Sequence, residues 1–186
     1  MAKTASTMLP LGTPAPDFAL PDTVSGQPVR YTDIAGEKAT LVMFICNHCP
    51  FVKHILDELV RLGHDYAGPE VGLVAISSND IQGFPQDRPE RMKELAEQLG
   101  FAFPYLYDEP QNTARAYGAA CTPDFYIFNG GNRLAYRGQL DDSRPGKDVP
   151  VSGRDIRAAL DALLADRPVS PDQKPSIGCN IKWKGA

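Results

Sequence analysis

Residues 41–50 read Leu-Val-Met-Phe-Ile-Cys-Asn-His-Cys-Pro, an apolar run that ends in a Cys-x-x-Cys-Pro motif. The apolar run begins at Ala39 and is nearly continuous, as is typical of a central strand that is covered on both faces. From Pro50 onward, apolar residues recur with the 3.6-residue period of a helix, which we expect to end near Gly63. The sequence therefore predicts a buried strand, a tight turn that carries two thiols, and a helix, in that order.

The two cysteines of this turn, Cys46 and Cys49, have the spacing of a dithiol that exchanges with a disulfide. Cys46 stands where the strand gives way to the helix. We therefore expect the unpaired N–H groups and the positive end of the helix to face its sulfur and to favour the thiolate. The sequence thus predicts that Cys46 attacks, and that Cys49 resolves the mixed disulfide by closing a Cys46–Cys49 bond. The alternatives are half of a zinc site or two buried core cysteines.

Three other residues are predicted to support this dithiol. A partly protonated His48, between the cysteines, would stabilise a thiolate and make the disulfide a stronger oxidant, whereas the alternative is a solvent-exposed turn residue without effect. Thr122-Pro123 leads into a later strand, and X-Pro is the bond type that is readily cis. We expect a cis bond there, which would turn the backbone of Thr122 outward, free to pair with an extended substrate. The alternative is an ordinary trans proline at a strand start.

The remaining cysteines are candidates for additional redox roles. Cys121 lies two residues before Pro123 and should come near the dithiol, either as a third redox thiol or as a small buried apolar residue. Cys179 lies on the tail and could resolve a mixed disulfide or a sulfenic acid if the tail folds back, or it could be a packed structural residue. A set of polar residues on predicted loops could orient a substrate, although solvated loop charge is the default interpretation: Asn79, Asp80, Asp141, Asp142 and Arg144.

Further elements follow from periodicity and turn signals. A second buried strand at residues 71–76 would complete a right-handed parallel crossover with the first strand and helix. Asp87 and Asp108 each precede a Pro and a Glu or Gln, so both are predicted N-caps of later helices. The remaining predicted elements are an N-terminal hairpin around residues 18–20 and 29–31, a β-hairpin of residues 124–128 and 134–136, and a last helix that begins near Ser152.

The order β-α-β-α, β-hairpin, α predicts an α/β fold, a thioredoxin-like three-layer sandwich with a central mixed β-sheet flanked by helices. We expect residues 1–167 to form this thioredoxin-like domain, including the N-terminal β extension. Residues 168–186 are expected to form an extended, proline-containing C-terminal tail that packs back on the domain. Within the tail, Ile181 and Trp183 alternate with lysines and are predicted to dock as an edge strand.

Composition narrows the possible function classes. The 186 residues carry a net charge of −4, so no basic surface points to nucleic acid or to an anionic membrane. No stretch approaches the roughly 20 apolar residues of a membrane span, and four cysteines are too few for a disulfide scaffold. Residues 1–10 lack the apolar run of a signal peptide, so we expect a cytoplasmic protein, although a chain with a trimmed leader would look the same.

With these residues in place, the chain resembles the thioredoxin superfamily, specifically its peroxiredoxin-like or redoxin branch. The resemblance implies a thiol–disulfide oxidoreductase that needs no cofactor or metal, because the electrons reside in the dithiol. It implies protein or low-molecular-weight disulfides as partners, together with a thiol reductant, and a monomer or homodimer. The resemblance rests on residues 12–18 (Gly-Thr-Pro-Ala-Pro-Asp-Phe), 46–50, 122–125 (Thr-Pro-Asp-Phe) and 178–183 (Gly-Cys-Asn-Ile-Lys-Trp).

The chain also departs from the patterns of these families. A peroxiredoxin has a Thr three residues before its peroxidatic Cys, a Pro four residues earlier and a distant Arg, and here those places hold Cys46, Val42 and Pro123. Thioredoxin has a buried Asp six residues before its first Cys, where this chain has Thr40. The His before the second Cys resembles that of the strongly oxidising bacterial disulfide oxidases.

Two alternative functions stay open at this stage. The first is a thiol peroxidase that uses Cys49, with Cys46 or Cys179 resolving. The second is a copper or zinc carrier, of the kind that pairs a Cys motif with a His from a remote loop. The second alternative is weakened because all three histidines of the chain lie in or near the first long helix: His48, His54 and His64.

Overall fold

A five-stranded mixed sheet forms the centre of the structure, a computed structural model that describes residues 3–185. In chain order, the elements are β1 (Lys3–Ala5), β2 (Ala19–Pro21), β3 (Pro28–Arg30), α1 (Tyr31–Ile34), β4 (Ala39–Phe44), α2 (Pro50–Tyr66), β5 (Val71–Ser77), α3 (Pro89–Leu99), β6 (Tyr105–Tyr107), α4 (Asn112–Ala116), β7 (Cys121–Thr122), β8 (Asp124–Asn129), β9 (Leu134–Gly138), α5 (Arg154–Leu164) and β10 (Ile177–Asn180). A single 3₁₀ turn, Pro85–Asp87, precedes α3.

The central sheet has the strand order β6-β5-β4-β8-β9. Strands β4, β5 and β6 run parallel, whereas β8 pairs antiparallel with β4 and β9 pairs antiparallel with β8. The parallel strands and the antiparallel hairpin therefore meet between β4 and β8, as the sequence predicts.

Both faces of this sheet are covered, because β4 alternates its side chains between two apolar layers. Leu41 and Met43 pack in a cluster with buried residues of α2, α3 and α5. Val42 and Phe44 pack in a second cluster with α1, α4 and the N-terminal segment around β2. The predicted α/β, thioredoxin-like three-layer sandwich is confirmed.

The local predictions differ in their outcome. The N-terminal hairpin exists as β2 and β3, and the predicted second strand and hairpin exist as β5, β8 and β9. Strand β6 is missing from the sequence prediction, since its three residues give no recognisable alternation. Asp87 and Asp108 are not the predicted N-caps, because α3 begins after Arg88 and α4 begins after Gln111.

The C-terminal strand lies at a different place from the predicted one. The sequence indicates an edge strand at Ile181 and Trp183, but β10 forms earlier and is the middle strand of a three-stranded sheet, between β1 and β7. Ile181 instead buries its side chain in the second apolar cluster. The division into 1–167 and 168–186 stays a prediction, and its end residues 1 and 186 lie outside the described residues.

A helix can cross a membrane only when it is long enough and apolar enough to span the hydrocarbon core of the bilayer. The 17-residue α2 is amphipathic, with one buried stripe along the sheet. None of the helices within residues 3–185 is both long enough and apolar enough to cross a membrane.

Candidate active site

The dithiol turn connects the end of β4 to the start of α2. Pro50 is the first residue of α2, where a proline costs no hydrogen bond, and Cys49 is its N-cap in an extended conformation. The free N–H groups of the first helical turn therefore point toward Cys49. The helix begins at Pro50, where the sequence predicts it, but the N–H group of Val52 in its first turn contacts the Cys49 sulfur and not the Cys46 sulfur as expected.

The environment of Cys49 favours its thiolate. The Cys46 thiol hydrogen bonds the Cys49 sulfur and lowers its pKa, and burial opposes this effect. The Cys179 thiol and the backbone N–H groups of Val52 and Cys179 lower the pKa further, to about 4. Val52 lies in the first turn of α2, so part of this stabilisation comes directly from the helix N-terminus. When protonated, the Cys49 thiol donates to the carbonyl oxygen of Thr122 at 3.2 Å.

The environment of Cys46 has the opposite effect. Its hydrogen bond to Cys49, its burial and the nearby negative charge of Asp87 raise the pKa of Cys46 well above the ordinary value, although a hydrogen bond with Thr122 opposes the rise. The sulfur lies 3.3 Å from the hydroxyl oxygen of Thr122. The backbone N–H groups of Asn47 and His48 donate to Asp87 Oδ1, at 2.8 and 3.2 Å. These two donors of the turn are therefore engaged by the carboxylate of Asp87.

Asp87 also fixes the ring of His48. Nδ1 of His48 lies 2.6 Å from Asp87 Oδ2, and the side-chain N–H₂ of Asn79 donates to the same oxygen at 2.8 Å. The ring stacks on Phe84 with a centroid separation of 4.7 Å, and the side chain is 10% exposed. The alternative that His48 is a solvent-exposed turn residue is therefore wrong. Within residues 3–185, the buried Nε2 of His48 has no hydrogen-bond partner.

Asp87 is the site residue that sequence reasoning missed. Its side chain is fully buried, and its position between Pro85 and Pro89 resembles an ordinary helix cap. Burial raises the pKa of Asp87, but hydrogen bonds from His48, Asn79 and the backbone of Asn47 outweigh burial and leave the pKa below its usual value. The site thus has a buried carboxylate beside Cys46, although it lacks the Asp that thioredoxin carries at the position of Thr40.

The edge of β7 next to Pro123 is already paired. The Thr122–Pro123 peptide bond is cis, as expected from the sequence. The backbone of Thr122 is not free to pair with an extended substrate, however, because Cys179 of β10 lies opposite it in an antiparallel register. A Cβ atom at Gly178 would overlap the carbonyl oxygen of Thr122, so only glycine permits this close approach. The expected open docking edge is therefore occupied by the tail of the same chain.

All four cysteines are buried free thiols, and three of them lie together. Cys179 is buried in the same cluster as Cys46 and Cys49, and burial together with the nearness of Cys49 raises the pKa of Cys179 to about 12. The thiol of Cys121 instead donates to the carbonyl oxygen of Pro123 at 3.6 Å, and burial raises its pKa. The structure therefore brings Cys46, Cys49 and Cys179 together and leaves Cys121 outside this group.

Of the five polar loop residues singled out in the sequence, one contacts the site and four bind other parts of the fold. Asn79 reaches the site, since it binds Asp87 and also accepts the backbone N–H of Lys182. Asp141 accepts backbone N–H groups of its own loop and of the turn before α5, and Arg144 donates to carbonyl oxygens of the same loop. Their hydrogen bonds are thus internal to the fold. The other two members bind elsewhere, Asp80 to the backbone of the tail and Asp142 to Arg154 and Lys174.

One group of side chains has the chemistry of a metal site. A sulfur of Cys46, a ring nitrogen of His48 and a carboxylate oxygen of Asp87 all lie within 4.8 Å of one another. This brings a ligand from a remote loop to the Cys motif, which the sequence analysis did not anticipate. The Asp87 oxygens already accept hydrogen bonds from Asn47, His48 and Asn79, so a metal ion would have to displace an existing network.

Comparison with solved structures finds close relatives. An uncharacterised conserved protein from Geobacillus kaustophilus is 59% identical, with 100% of this chain and 98% of that chain covered and a TM-score of 0.98. A hypothetical protein from Sinorhizobium meliloti 1021 is 48% identical, with 98% and 100% covered and a TM-score of 0.95. A thiol:disulfide interchange protein of the thioredoxin family from Chlorobium tepidum TLS shares the fold at 19% identity, with 82% and 97% covered and a TM-score of 0.63.

The family assignment rests on a separate comparison. None of the curated proteins matches this chain. Residues 11–137, which include the dithiol turn and the cis-proline segment, match the model described as AhpC/TSA family. The resemblance to thioredoxin-type oxidoreductases of the redoxin branch is thereby confirmed, and the chain belongs to the AhpC/TSA family.

Proposed function

We propose that this protein is a thiol–disulfide oxidoreductase that exchanges its Cys46–Cys49 dithiol with external disulfides. The observation that carries the proposal is the geometry of two adjacent thiols: Cys49 is the N-cap of α2, and Cys46 lies beside the buried carboxylate of Asp87. The directions of the pKa shifts, down at Cys49 and up at Cys46, agree with this geometry. Disulfide exchange needs one sulfur as a thiolate and a second that keeps its proton until the mixed disulfide has formed. This pair meets both requirements.

In the first step, the Cys49 thiolate attacks one sulfur of the substrate disulfide. A bond forms between Cys49 and that sulfur, and the other half of the substrate leaves as a thiolate that takes a proton from water. This assignment exchanges the roles that the sequence analysis gave to the two cysteines. The support for the exchange is that Cys49, not Cys46, is the N-cap of α2.

In the second step, Cys46 resolves the mixed disulfide. Its thiol loses a proton, its sulfur bonds to Cys49, and the second half of the substrate leaves as a thiol. Asp87 lies next to Cys46, and a positioned carboxylate can take such a proton, directly or through His48. The substrate is thereby reduced and the protein is oxidised, and an external thiol reductant restores the dithiol. The same steps run backward when the protein acts as an oxidant.

The substrates we propose are low-molecular-weight or protein disulfides. Cys46 and Cys49 are 1% and 0% exposed, and β10 covers the edge beside Pro123. Burial of this degree favours a small disulfide as the first reactant, since a folded protein substrate would first have to displace the tail. We propose the cytoplasm as the place of action, since four cysteines are too few for the disulfide scaffold of a small secreted protein. We retain the proposal of a monomer or homodimer.

A thiol peroxidase is the second candidate, and the position of Cys49 favours it. A sulfur at a helix N-terminus, with a lowered pKa, is the kind of thiolate that a peroxide oxidises to a sulfenic acid. The Cys46 thiol would then condense with the sulfenic acid, giving the Cys46–Cys49 disulfide and water. The Thr and Arg that activate the peroxide in peroxiredoxins are absent from their expected positions, so we rank this activity below disulfide exchange.

A redox titration tests the proposed function. The protein is equilibrated in glutathione buffers of increasing oxidation, quenched with acid, alkylated and mapped by mass spectrometry. We expect a disulfide between Cys46 and Cys49 within one molecule. If neither cysteine is oxidised in any buffer, the proposal is wrong. Hydrogen peroxide consumption, with Cys49→Ser as control, separates the two candidates, because turnover faster than exchange with glutathione disulfide would favour the peroxidase.

A further inference from the structure

We propose that Cys179 is a second exchange partner of Cys49, so that this site works with three thiols and two alternative disulfides. The inference rests on the proposed function, because it requires Cys49 to be the exchanging sulfur. It adds a catalytic residue from the far end of the chain, 130 positions after Cys49 in the sequence.

The pairing of β10 with β7 aims Cys179 at the dithiol. Cys179 lies directly opposite Thr122 in the antiparallel register, and opposite residues of such a pair project from the same face. The hydroxyl of Thr122 contacts the sulfur of Cys46, so this face is the one that looks at the dithiol. Accordingly, Cys46, Cys49 and Cys179 are buried in the same cluster of side chains, and the nearness of Cys179 lowers the pKa of Cys49.

The N-terminal side of β10 is held tightly. The hydroxyl of Ser176 donates to the carbonyl oxygen of Pro123 at 2.6 Å, and its backbone N–H donates to the hydroxyl of Ser6 at 2.9 Å. Gly178 packs against the backbone of Thr122. The close contact between Cys179 and Cys49 is therefore part of a built structure, not the accident of a loose tail.

The residues that follow β10 are connected by hydrogen bonds, through Asn79, to Asp87, the carboxylate beside Cys46. The carbonyl oxygen of Lys182 accepts the backbone N–H of Asp80 at 2.8 Å and the side-chain N–H of Gln111 at 2.7 Å. Its backbone N–H donates to Asn79 Oδ1 at 2.9 Å, and the amide nitrogen of the same Asn79 binds Asp87. Asn79 therefore connects the segment that carries Cys179 to the hydrogen-bond network of His48 and Asp87.

The exchange itself is balanced within the chain. Starting from the Cys46–Cys49 disulfide, the sulfur of Cys179 loses its proton and attacks Cys49. A Cys49–Cys179 bond forms, the Cys46–Cys49 bond breaks, and Cys46 leaves as a thiolate and takes up a proton. No net oxidation or reduction occurs, so no further reactant is needed. Cys179 can equally resolve a mixed disulfide at Cys49, releasing the bound half of the substrate as a thiol.

The two disulfides have different consequences. A Cys46–Cys49 bond leaves β10 held only by noncovalent contacts. A Cys49–Cys179 bond links β10 covalently to the start of α2 and holds it in place on the edge beside Pro123. Cys46 then remains as a free thiol next to Asp87. The second disulfide therefore stores the oxidised state while the site is covered.

The test uses full-length variants and glutathione disulfide as the probe. In Cys46→Ser the first partner is removed, so the glutathione bound to Cys49 should be released by Cys179, leaving a Cys49–Cys179 disulfide. In Cys46→Ser/Cys179→Ser the mixed disulfide should persist at least about ten times longer. Cys46→Ser/Cys121→Ser is the matched control and should behave like Cys46→Ser. Cys179→Ala repeats the double variant if the serine disturbs folding, which circular dichroism and thermal unfolding report.

Each outcome bears on the proposal. Equal lifetimes of the mixed disulfide with and without Cys179, or a bond from Cys49 to Cys121, overturn it while the proposed function stands. Absence of both a glutathione adduct on Cys49 and a Cys49–Cys179 disulfide in Cys46→Ser overturns both this inference and the assignment of Cys49 as the attacking sulfur. Failure of the unaltered protein to form a Cys46–Cys49 disulfide, while Cys49–Cys179 forms, contradicts the proposed dithiol and supports the role of Cys179.

Discussion

Strands β7 and β10 lie side by side and each carries one buried cysteine, yet only one of the two reaches the dithiol. Cys179 lies opposite Thr122, and Cys121 lies opposite Asn180. Since side chains alternate along a strand, Cys179 shares the face of Thr122 toward Cys49, whereas Cys121 projects from the other face. Burial and nearness along the chain to Pro123 would both have favoured Cys121. The strand register therefore decides which thiol joins the site.

The largest difference in reaction rate is expected between a variant that lacks a cysteine of the three-thiol group and one that lacks Cys121. Cys49→Ser should lower the rate of exchange with glutathione disulfide by about a thousandfold or more, because a hydroxyl is not ionised at neutral pH. Cys121→Ser should leave the rate within about twofold of the unaltered protein. The measurement is the release of glutathione under excess reagent. Equal losses in the two variants would contradict the distinction between the faces.

A second prediction concerns the carboxylate on the dithiol side. Asp87→Asn should slow closure of the Cys46–Cys49 disulfide by about a hundredfold, because it removes the proton acceptor next to Cys46. The first step at Cys49 should change much less. Stopped-flow measurement of both steps as a function of pH checks this, and the slow step should recover at alkaline pH, where hydroxide removes the proton.

Asn79→Ala serves as the control for this variant, since it removes one hydrogen-bond donor to Asp87 while keeping the carboxylate itself. A purely structural role of Asp87 would be shown if Asp87→Asn lowered stability and slowed both steps to the same degree, without any change in the pH profile.

A third prediction concerns the carboxylate beside β7. Burial raises the pKa of Asp124 to about 6, although hydrogen bonds from Ser6 and Tyr126 oppose the rise. A pKa that is raised on folding means that the native state binds the proton more tightly. This contribution to stability is complete below about pH 4 and is lost as the pH rises through 6.

We therefore expect Asp124→Asn to reduce the difference in unfolding free energy between pH 5 and pH 8 by about 1 kcal/mol. Urea unfolding at the two pH values measures it. The pKa of Cys49 should change much less than the pKa of Cys121, because Asp124 raises the pKa of Cys121 directly and is not among the largest influences on Cys49. A shift in the Cys49 titration would show that the two sides are electrostatically coupled.

The fourth prediction separates β10 from β7. In Gly178→Ala the new Cβ meets the carbonyl of Thr122, so the strand should move away at a cost of about 1–3 kcal/mol. Cys46 and Cys49 should then react about tenfold faster with iodoacetamide. Gly83→Ala is the matched control, because a Cβ there has open space and no positive φ. Unchanged labelling in Gly178→Ala would show that β10 does not cover the dithiol.

The smallest expected effect distinguishes two substitutions of one residue. Cys46→Ser keeps a hydrogen-bond donor to the Cys49 sulfur, whereas Cys46→Ala removes the largest cause of its lowered pKa. The pKa of Cys49 should therefore be higher in Cys46→Ala than in Cys46→Ser by about one pH unit. Thiolate absorbance near 240 nm, measured against pH, provides the values. Identical titrations would show that the helix N-terminus acts alone.

The same contrast explains what could be predicted from the sequence. The turn between β4 and α2 and the hairpin of β8 and β9 are local, so apolar periodicity and turn residues are sufficient to predict them. The Thr122–Pro123 segment follows from its order after the dithiol. In these places the chemistry and the local pattern are encoded within a few neighbouring residues.

The parts that escaped prediction depend on distant contacts. Asp87 looks like a helix cap, and only its bonds to backbone groups 39 and 40 residues away reveal its role. The helix start at Pro50 is predicted, but which of the two sulfurs its N–H groups contact depends on the path of the turn from Cys46 to Cys49, which a periodic pattern does not describe. The register of β10 against β7 cannot be derived from either strand alone, because both are short and each has an apolar residue on either side.

The most direct test of the account is to identify the sulfur that attacks. The unaltered reduced protein is mixed with glutathione disulfide, quenched with acid within milliseconds to seconds, and digested for mass spectrometry. We predict a transient glutathione adduct on Cys49, followed by the Cys46–Cys49 disulfide. A first adduct on Cys46, with Cys49 still a free thiol, would contradict the assignment of the thiolate to the helix N-terminus.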